Sequence, residues 1–174
     1  QTPVTDANAI AATVIKNVLQ KQTGPGVITL GGCDYHTGNA ADGDAKDLII
    51  GQYIGRAVEA AHQLGTPLFF QLLTDGGCYA DRNTRNWRSD AGEKCMTVIG
   101  CYHPEVAPQQ IKSQVGYFTN GQGAALETVV GSRPLNVAYA VLANYLHLLG
   151  QDSLFEALGG FEHIPRHEYD HMLI

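Results

Sequence analysis

Apolar side chains recur every three or four residues in three long segments, and this spacing predicts helices that each bury one face. Asp6 suits the N-cap of the first helix, and Gly65 and Gly150 stand where the second and third helices should end. Pro134 suits the first turn of the third helix. We therefore predict helices over about 5–21, 44–64 and 134–150, with a short helix near 152–158.

Short apolar runs between these helices predict four strands, over about 27–30, 68–73, 95–100 and 114–118. Glycine pairs at 31–32 and 76–77 close the first two strands. A helix between two such strands forms a βαβ crossover, which makes the strands parallel. We expect one α/β domain over 1–174, in which flanking helices cover a mostly parallel sheet and 159–174 forms an irregular tail.

The composition narrows the classes of partner. The chain has 174 residues and a formal net charge of −6, from 17 acidic and 11 basic side chains. This balance argues against nucleic acid as a partner, because the phosphate backbone of a nucleic acid binds best to a positively charged protein surface. With 44% hydrophobic residues, the chain has enough apolar side chains for a folded core. No segment approaches the ~18–20 consecutive apolar residues that cross a bilayer, so we expect no membrane span.

Four cysteines, together with Gln1 at the first position, favour a processed protein located in the periplasm or outside the cell. In one extended strand, the Cα atoms of Cys95 and Cys101 would lie ~20 Å apart, beyond the reach of a disulfide. The preferred disulfide joins Cys78 to Cys95 across the polar loop between them. Cys33 and Cys101 would pair with each other or stay free.

Three candidate metal ligands follow the first two predicted strands. Asp34 and His36 come after the first strand, and Asp75 comes after the second. Parallel strands end at the same edge of a sheet, so these side chains should lie close together. Carboxylates and imidazole bind zinc and other divalent cations. The alternative is that both aspartates cap helices or bind loop amides and that His36 is an ordinary loop residue.

The order of these motifs resembles the C-terminal half of the alkaline phosphatase-like superfamily, over roughly residues 27–150. The similarity rests on the glycine-rich segment 31–36, which contains Asp34 and His36, and on Thr74-Asp75-Gly76-Gly77 after the next strand. Segments 114–117 and 144–150 are also similar to a branch of bacterial proteins exported by the twin-arginine route. The resemblance implies an alkaline phosphatase-like half-domain, in which Asp34 and His36 match ligands of one metal and Asp75 matches a ligand of a second.

The sequence departs from that superfamily in three ways. Gly76 stands where active members supply a His, and the segment 87–90 contains no further ligand His. The half that carries the Ser or Thr nucleophile is also absent. A complete two-metal site cannot be built from these residues alone. The leading hypothesis is therefore an exported domain with a remnant site for zinc or another divalent metal. If active, it would hydrolyse phosphate or sulfate esters.

Two other functions compete with this hypothesis. The first is a non-enzymatic structural subunit of an extracellular assembly, because a half-domain exposes sheet edge and apolar surface that self-association or a partner chain would cover. The second, more distant, is a zincin-like metalloprotease, since His167-Glu168-Tyr169-Asp170-His171 matches the H-E-x-x-H pattern. Only three residues follow that motif, and Pro165 limits any helix before it, so a solvated tail is the preferred interpretation.

Three further histidines have structural interpretations. We expect His62 to lie on the surface of the second helix and His147 to be hydrogen-bonded at a helix boundary. We interpret His103 as a turn residue, although its place after a predicted strand would also allow it to join the metal ligands.

Overall fold

The computed structural model describes residues 6–33, 40–74, 79–80, 87–88, 96–106, 114–121 and 123–174. The chain divides into two compact units. The first comprises Gln1–Phe70, Cys78–Asp90 and Gly100–Ala107, and the second comprises Gln71–Gly77, Ala91–Ile99 and Pro108–Ile174. In the described part of each unit, helices are the main elements.

The first unit contains the helices α1 (Ala7–Leu19) and α2 (Ala40–Leu64). The Asn8 amide donates to Asp6 Oδ1 (2.7 Å), which confirms Asp6 as the N-cap of α1. Gly65 follows α2 with a φ of 59°, a left-handed backbone conformation that favours glycine. Both helices confirm the prediction from apolar spacing, although α2 begins a full turn before the expected residue 44.

Four short strands lie in the described residues: β1 (Leu68–Leu73), β2 (Tyr79–Ala80), β3 (Trp87–Arg88) and β4 (Thr97–Tyr102). They form two pairs, β2 with β3 in antiparallel register and β1 with β4. Thr74 Oγ1 donates to the Met96 carbonyl (3.1 Å), whereas Phe70 packs on Gly100. From Phe70 to Thr74 the contacting residue changes from Gly100 to Met96. Residue numbers therefore rise along β1 as they fall along β4, so this pair is antiparallel as well.

The structure contradicts the predicted mostly parallel sheet and the alkaline phosphatase-like half-domain that depended on it. Residues 25–30 form no strand, and Val27 is 85% exposed. The physical reason is that Pro25 has no N–H to donate and that the glycines on both sides leave only four residues, three of them apolar, to hold a strand in place. Without this strand, α2 does not connect two parallel strands, and the described residues contain no parallel pair.

The last predicted strand is also wrong, since the segment 114–118 contributes only a single antiparallel bridge between Phe118 and Ala124. The predictions for β1 and β4 are confirmed as strands, with β4 beginning two residues later than expected. β1 is not a buried strand, because none of its six residues is fully buried.

The second unit is built from short helices around one longer helix. Pro134 occupies the first turn of the longer helix, and Gly150 follows it with a φ of 65°, as predicted. The elements are α3 (Val129–Ser132), α4 (Pro134–Leu148), α5 (Ser153–Ala157) and α6 (Tyr169–Met172), with 3-10 turns at Gly160–Glu162 and Arg166–Glu168.

The core of the second unit lies against α4. Phe155 and Ile164 are both 0% exposed, and Phe155 packs edge-on against Phe161 with ring centroids 5.2 Å apart. Ile164 and Met172 both come from 159–174, the segment expected to be irregular, and both belong to this core. The other buried members are Ala140, Ala143 and Leu146 of α4.

One buried amide attaches the C-terminal residues to α4. Asn144 Nδ2 donates to the carbonyls of Ala140 and Met172, both at 2.8 Å. Its Oδ1 accepts from the Ile174 amide, also at 2.8 Å. Both ends of this side chain are therefore satisfied, as a buried polar group requires.

No helix in the described ranges combines the length and the apolarity that a bilayer span requires.

Candidate functional site

The three predicted metal ligands, Asp34, His36 and Asp75, lie outside the described residues, as do Cys78 and Cys95 of the preferred disulfide. The strand geometry that should have brought the ligands together is absent, because β1 pairs with β4 and not with 27–30. Within the described part of the chain, no group of three or more His, Cys, Asp or Glu side chains is arranged to hold a metal ion.

The H-E-x-x-H motif spans the junction between a 3-10 turn and α6. Arg166–Glu168 forms the turn, and Tyr169–Met172 forms the helix. The side chain of His167 is 80% exposed, and its Nε2 lies 3.9 Å from Glu168 Oε1. The two histidines therefore do not lie on one continuous α-helix, which is the context in which this motif binds zinc.

The other singled-out histidines take structural roles. His62 is exposed on α2, with Nδ1 2.9 Å from the Tyr102 hydroxyl, which confirms its surface position. His103 Nδ1 accepts from the Glu105 amide (3.2 Å), as the turn interpretation predicted. His147 lies in the last turn of α4 and is hydrogen-bonded there, which confirms the prediction for that residue.

His147 belongs to a polar cluster that the sequence did not reveal. Its Nδ1 lies 2.8 Å from Asp152 Oδ1, and the Tyr169 hydroxyl donates to the same oxygen at 2.9 Å. The hydrogen bonds from His147 and Tyr169 lower the pKa of Asp152 below its ordinary 3.8. Burial, followed by the bond to Asp152, raises the pKa of Tyr169 to about 12. The cluster thus joins α4, the start of α5 and α6.

The β1–β4 pair is the other unusual feature of the described surface. Its twelve residues include no Asp, Glu, Lys, Arg or Pro, and none of them is fully buried. Leu73 is 68% exposed and Val98 is 42% exposed, and Met96, directly before β4, is 56% exposed. These are apolar side chains that a water-facing strand pair does not usually carry.

The outer edge of β4 is free in the described residues, because β1 is the one strand paired with it. Cys101 on β4 is exposed and carries a free thiol, as does Cys33. A strand edge presents unpaired N–H and C=O groups that can bind a further strand. The sequence predicted a strand here but not this edge, since a short apolar run looks the same whether it is central or peripheral.

Comparison of the chain with protein-family models, with curated proteins and with solved structures found no match.

Proposed function

We propose that the chain is a non-enzymatic structural subunit that self-associates, with the outer edge of β4 as its contact surface. The proposal is supported by the β1–β4 pair, which contains no charged side chain. Among the described residues, β4 pairs with β1 alone, and none of the residues of β4 is fully buried. The ester-hydrolase hypothesis needed parallel strand ends that meet at one edge, and the antiparallel pairing of β1 with β4 removes its support.

The sequence of β4 favours pairing of its edge with a further strand and lacks the residues that keep a strand edge unpaired. Proteins that must keep a strand edge free commonly place lysines, prolines or inward-pointing charges on it. The segment Thr97–Tyr102 has none of these, and it includes the β-branched residues Val98 and Ile99, which pack well between paired strands. An additional strand would also cover the exposed side chain of Val98.

A second copy of this chain is the occupant that fits the edge best. In a two-fold symmetric antiparallel pair, β4 meets its own sequence, so a charge near the middle of the strand would lie close to the same charge on the other copy. β4 carries no charge, so self-pairing brings no such repulsion. The product would be a four-stranded sheet in the order β1-β4-β4-β1, and a sheet of this size is more stable in water than an isolated pair of strands.

Sedimentation velocity over a concentration series tests the proposal. We expect the wild type to form dimers and Val98→Lys to weaken dimerisation at least about tenfold, because a charge then lies on the paired strand near its symmetry mate. Val98→Thr keeps a β-branched, uncharged side chain and should retain most of the association. Leu126→Lys places the same new charge on a 71% exposed residue outside the strand pair and should have no effect.

The circular dichroism spectrum of each variant checks that the helices are intact. A wild type that stays monomeric at every concentration would overturn the proposal and leave a partner chain as the occupant of this edge. Equal dimerisation of the wild type and Val98→Lys would show that a surface other than the β4 edge holds the copies together. The periplasmic or extracellular location stays a prediction.

A further inference from the structure

A groove of about 350 Å³ runs between α1 and α2 within the first unit. Its floor is apolar and made of small or medium side chains, among them Ala11, Ala12 and Ile15 of α1 and Ala60 of α2. The volume lies at the small end of the ~300–1,000 Å³ range of ligand clefts. At ~30 Å³ per water-sized group, it has room for about a dozen non-hydrogen atoms.

Two cations line this groove, Lys16 from α1 and Arg56 from α2. Neither has a carboxylate within ion-pair distance among the described residues. The residues that line the groove include no Asp or Glu. The lining therefore contributes two positive charges and no negative charge, on a chain whose net charge is −6.

One end of the groove is held by a hydrogen bond between the helices. The Tyr53 hydroxyl donates to Asn8 Oδ1 (3.1 Å), and both residues line the groove. Ala11 is 2% exposed, which shows that the helices already pack where the groove begins. The two helices therefore already contact each other along the groove.

We propose that this groove binds a linear alkyl carboxylate, with the carboxylate at Lys16 and Arg56 and the alkyl chain along the alanine floor. An arginine side chain can hold a carboxylate through two parallel hydrogen bonds, and a lysine adds a second positive charge. Burial of the ligand's alkyl chain against the apolar floor stabilises the complex through the hydrophobic effect. The site is separate from the β4 edge, and its ligand binding does not depend on self-association.

Isothermal titration calorimetry with decanoate below its micellar concentration tests this assignment. Decanoate has twelve non-hydrogen atoms, close to the estimate of about a dozen that fit the groove. We expect decanoate to bind the wild type and both acetate and decanol to bind at least about tenfold more weakly. Acetate lacks the long alkyl chain, and decanol lacks the carboxylate. Lys16→Gln and Arg56→Gln should each weaken decanoate binding by a similar factor.

Two variants complete the experiment. Lys46→Gln removes a cation from α2 that does not line the groove, and it should leave decanoate binding unchanged. Ala12→Phe fills the groove from an exposed position that should not disturb folding, and it should abolish binding. Equal binding of decanol and decanoate, or unchanged binding by Ala12→Phe, would overturn the proposal.

Discussion

Replacing Asn144 by alanine should release the C-terminal residues from α4. The side chain is 9% exposed and makes its two contacts with the C-terminal segment through opposite ends of one amide. Alanine removes the donor to the Met172 carbonyl and the acceptor for the Ile174 amide. The third hydrogen bond, to Ala140, is local to α4, so its loss does not affect the C-terminal attachment.

The size of the effect follows from these two contacts. A typical hydrogen bond contributes about 0.5–1.5 kcal/mol net, and a buried polar group left without a partner costs about 1–3 kcal/mol. Met172 is 5% exposed, so water does not readily replace the lost donor at its carbonyl. We therefore expect Asn144→Ala to lower the free energy of unfolding of the second unit by about 2–4 kcal/mol.

Hydrogen exchange with mass spectrometry measures both the loss and its location. In Asn144→Ala, deuterium uptake should rise first in 166–174, while α1 and α2 should be unchanged. Asn136→Ala is the matched control, because Asn136 is equally buried but donates to Val129 (2.7 Å) and to Ser132 (3.2 Å). It should loosen α3 and leave the C-terminal peptide protected. Normal protection of 166–174 in Asn144→Ala would refute the reasoning.

Three further changes test other parts of the structure. Phe155→Ala should cost about 3–5 kcal/mol in urea unfolding, whereas Leu154→Ala, at a 44% exposed neighbour, should cost about 0.5 kcal/mol; equal losses would contradict the described core. Tyrosinate absorbance, taken as the difference between the wild type and Tyr169→Phe, should show a pKa of about 12 for Tyr169. Because this pKa is raised in the folded state, the stability it contributes is complete below pH 10, the ordinary pKa, and is lost as pH rises toward 12. Asp152→Asn should move the transition down, and a Tyr169 transition near pH 10 in the wild type would contradict both the burial of this hydroxyl and its hydrogen bond to Asp152. Because the parallel strand ends that the predicted metal site required are absent, elemental analysis after zinc dialysis should find no stoichiometric zinc on the wild type, and stoichiometric zinc that is lost in His36→Ala would contradict this.

The helices were predictable because their signals are local. Asp6 bonds an amide two residues away, and Pro134 and Gly150 act on the turns that contain them. Such caps and apolar spacings need no knowledge of the rest of the chain. This is why α1, α2 and α4 agree with the predicted segments to within about one turn.

The sheet was not predictable because pairing is not local. The apolar run of β1 predicts a strand, but nothing in it identifies β4 as its neighbour or antiparallel as its direction. The packing of Phe70 on Gly100, which helps to set this register, joins residues thirty positions apart. The expected βαβ crossover placed that strand beside 27–30, which forms no strand in the structure.

The candidate sites differ from the predicted one for a similar reason. The predicted metal ligands were Asp34, His36 and Asp75, because carboxylates and imidazole bind divalent cations. These side chains would have come together only at the edge of a parallel sheet. The β4 edge consists of ordinary apolar residues and becomes visible only through its pairing and exposure. The positive groove likewise depends on α1 packing against α2, since Lys16 and Arg56 lie forty positions apart in the sequence.

Amide hydrogen exchange of residues 97–102 at low and high protein concentration tests the self-association of this chain most directly. If β4 pairs with a second copy, the amides on its outer edge gain protection as concentration rises, and Val98→Lys removes that gain. Exchange in this segment that does not change with concentration, in a wild type shown to be dimeric, would contradict the assignment of β4 as the contact surface.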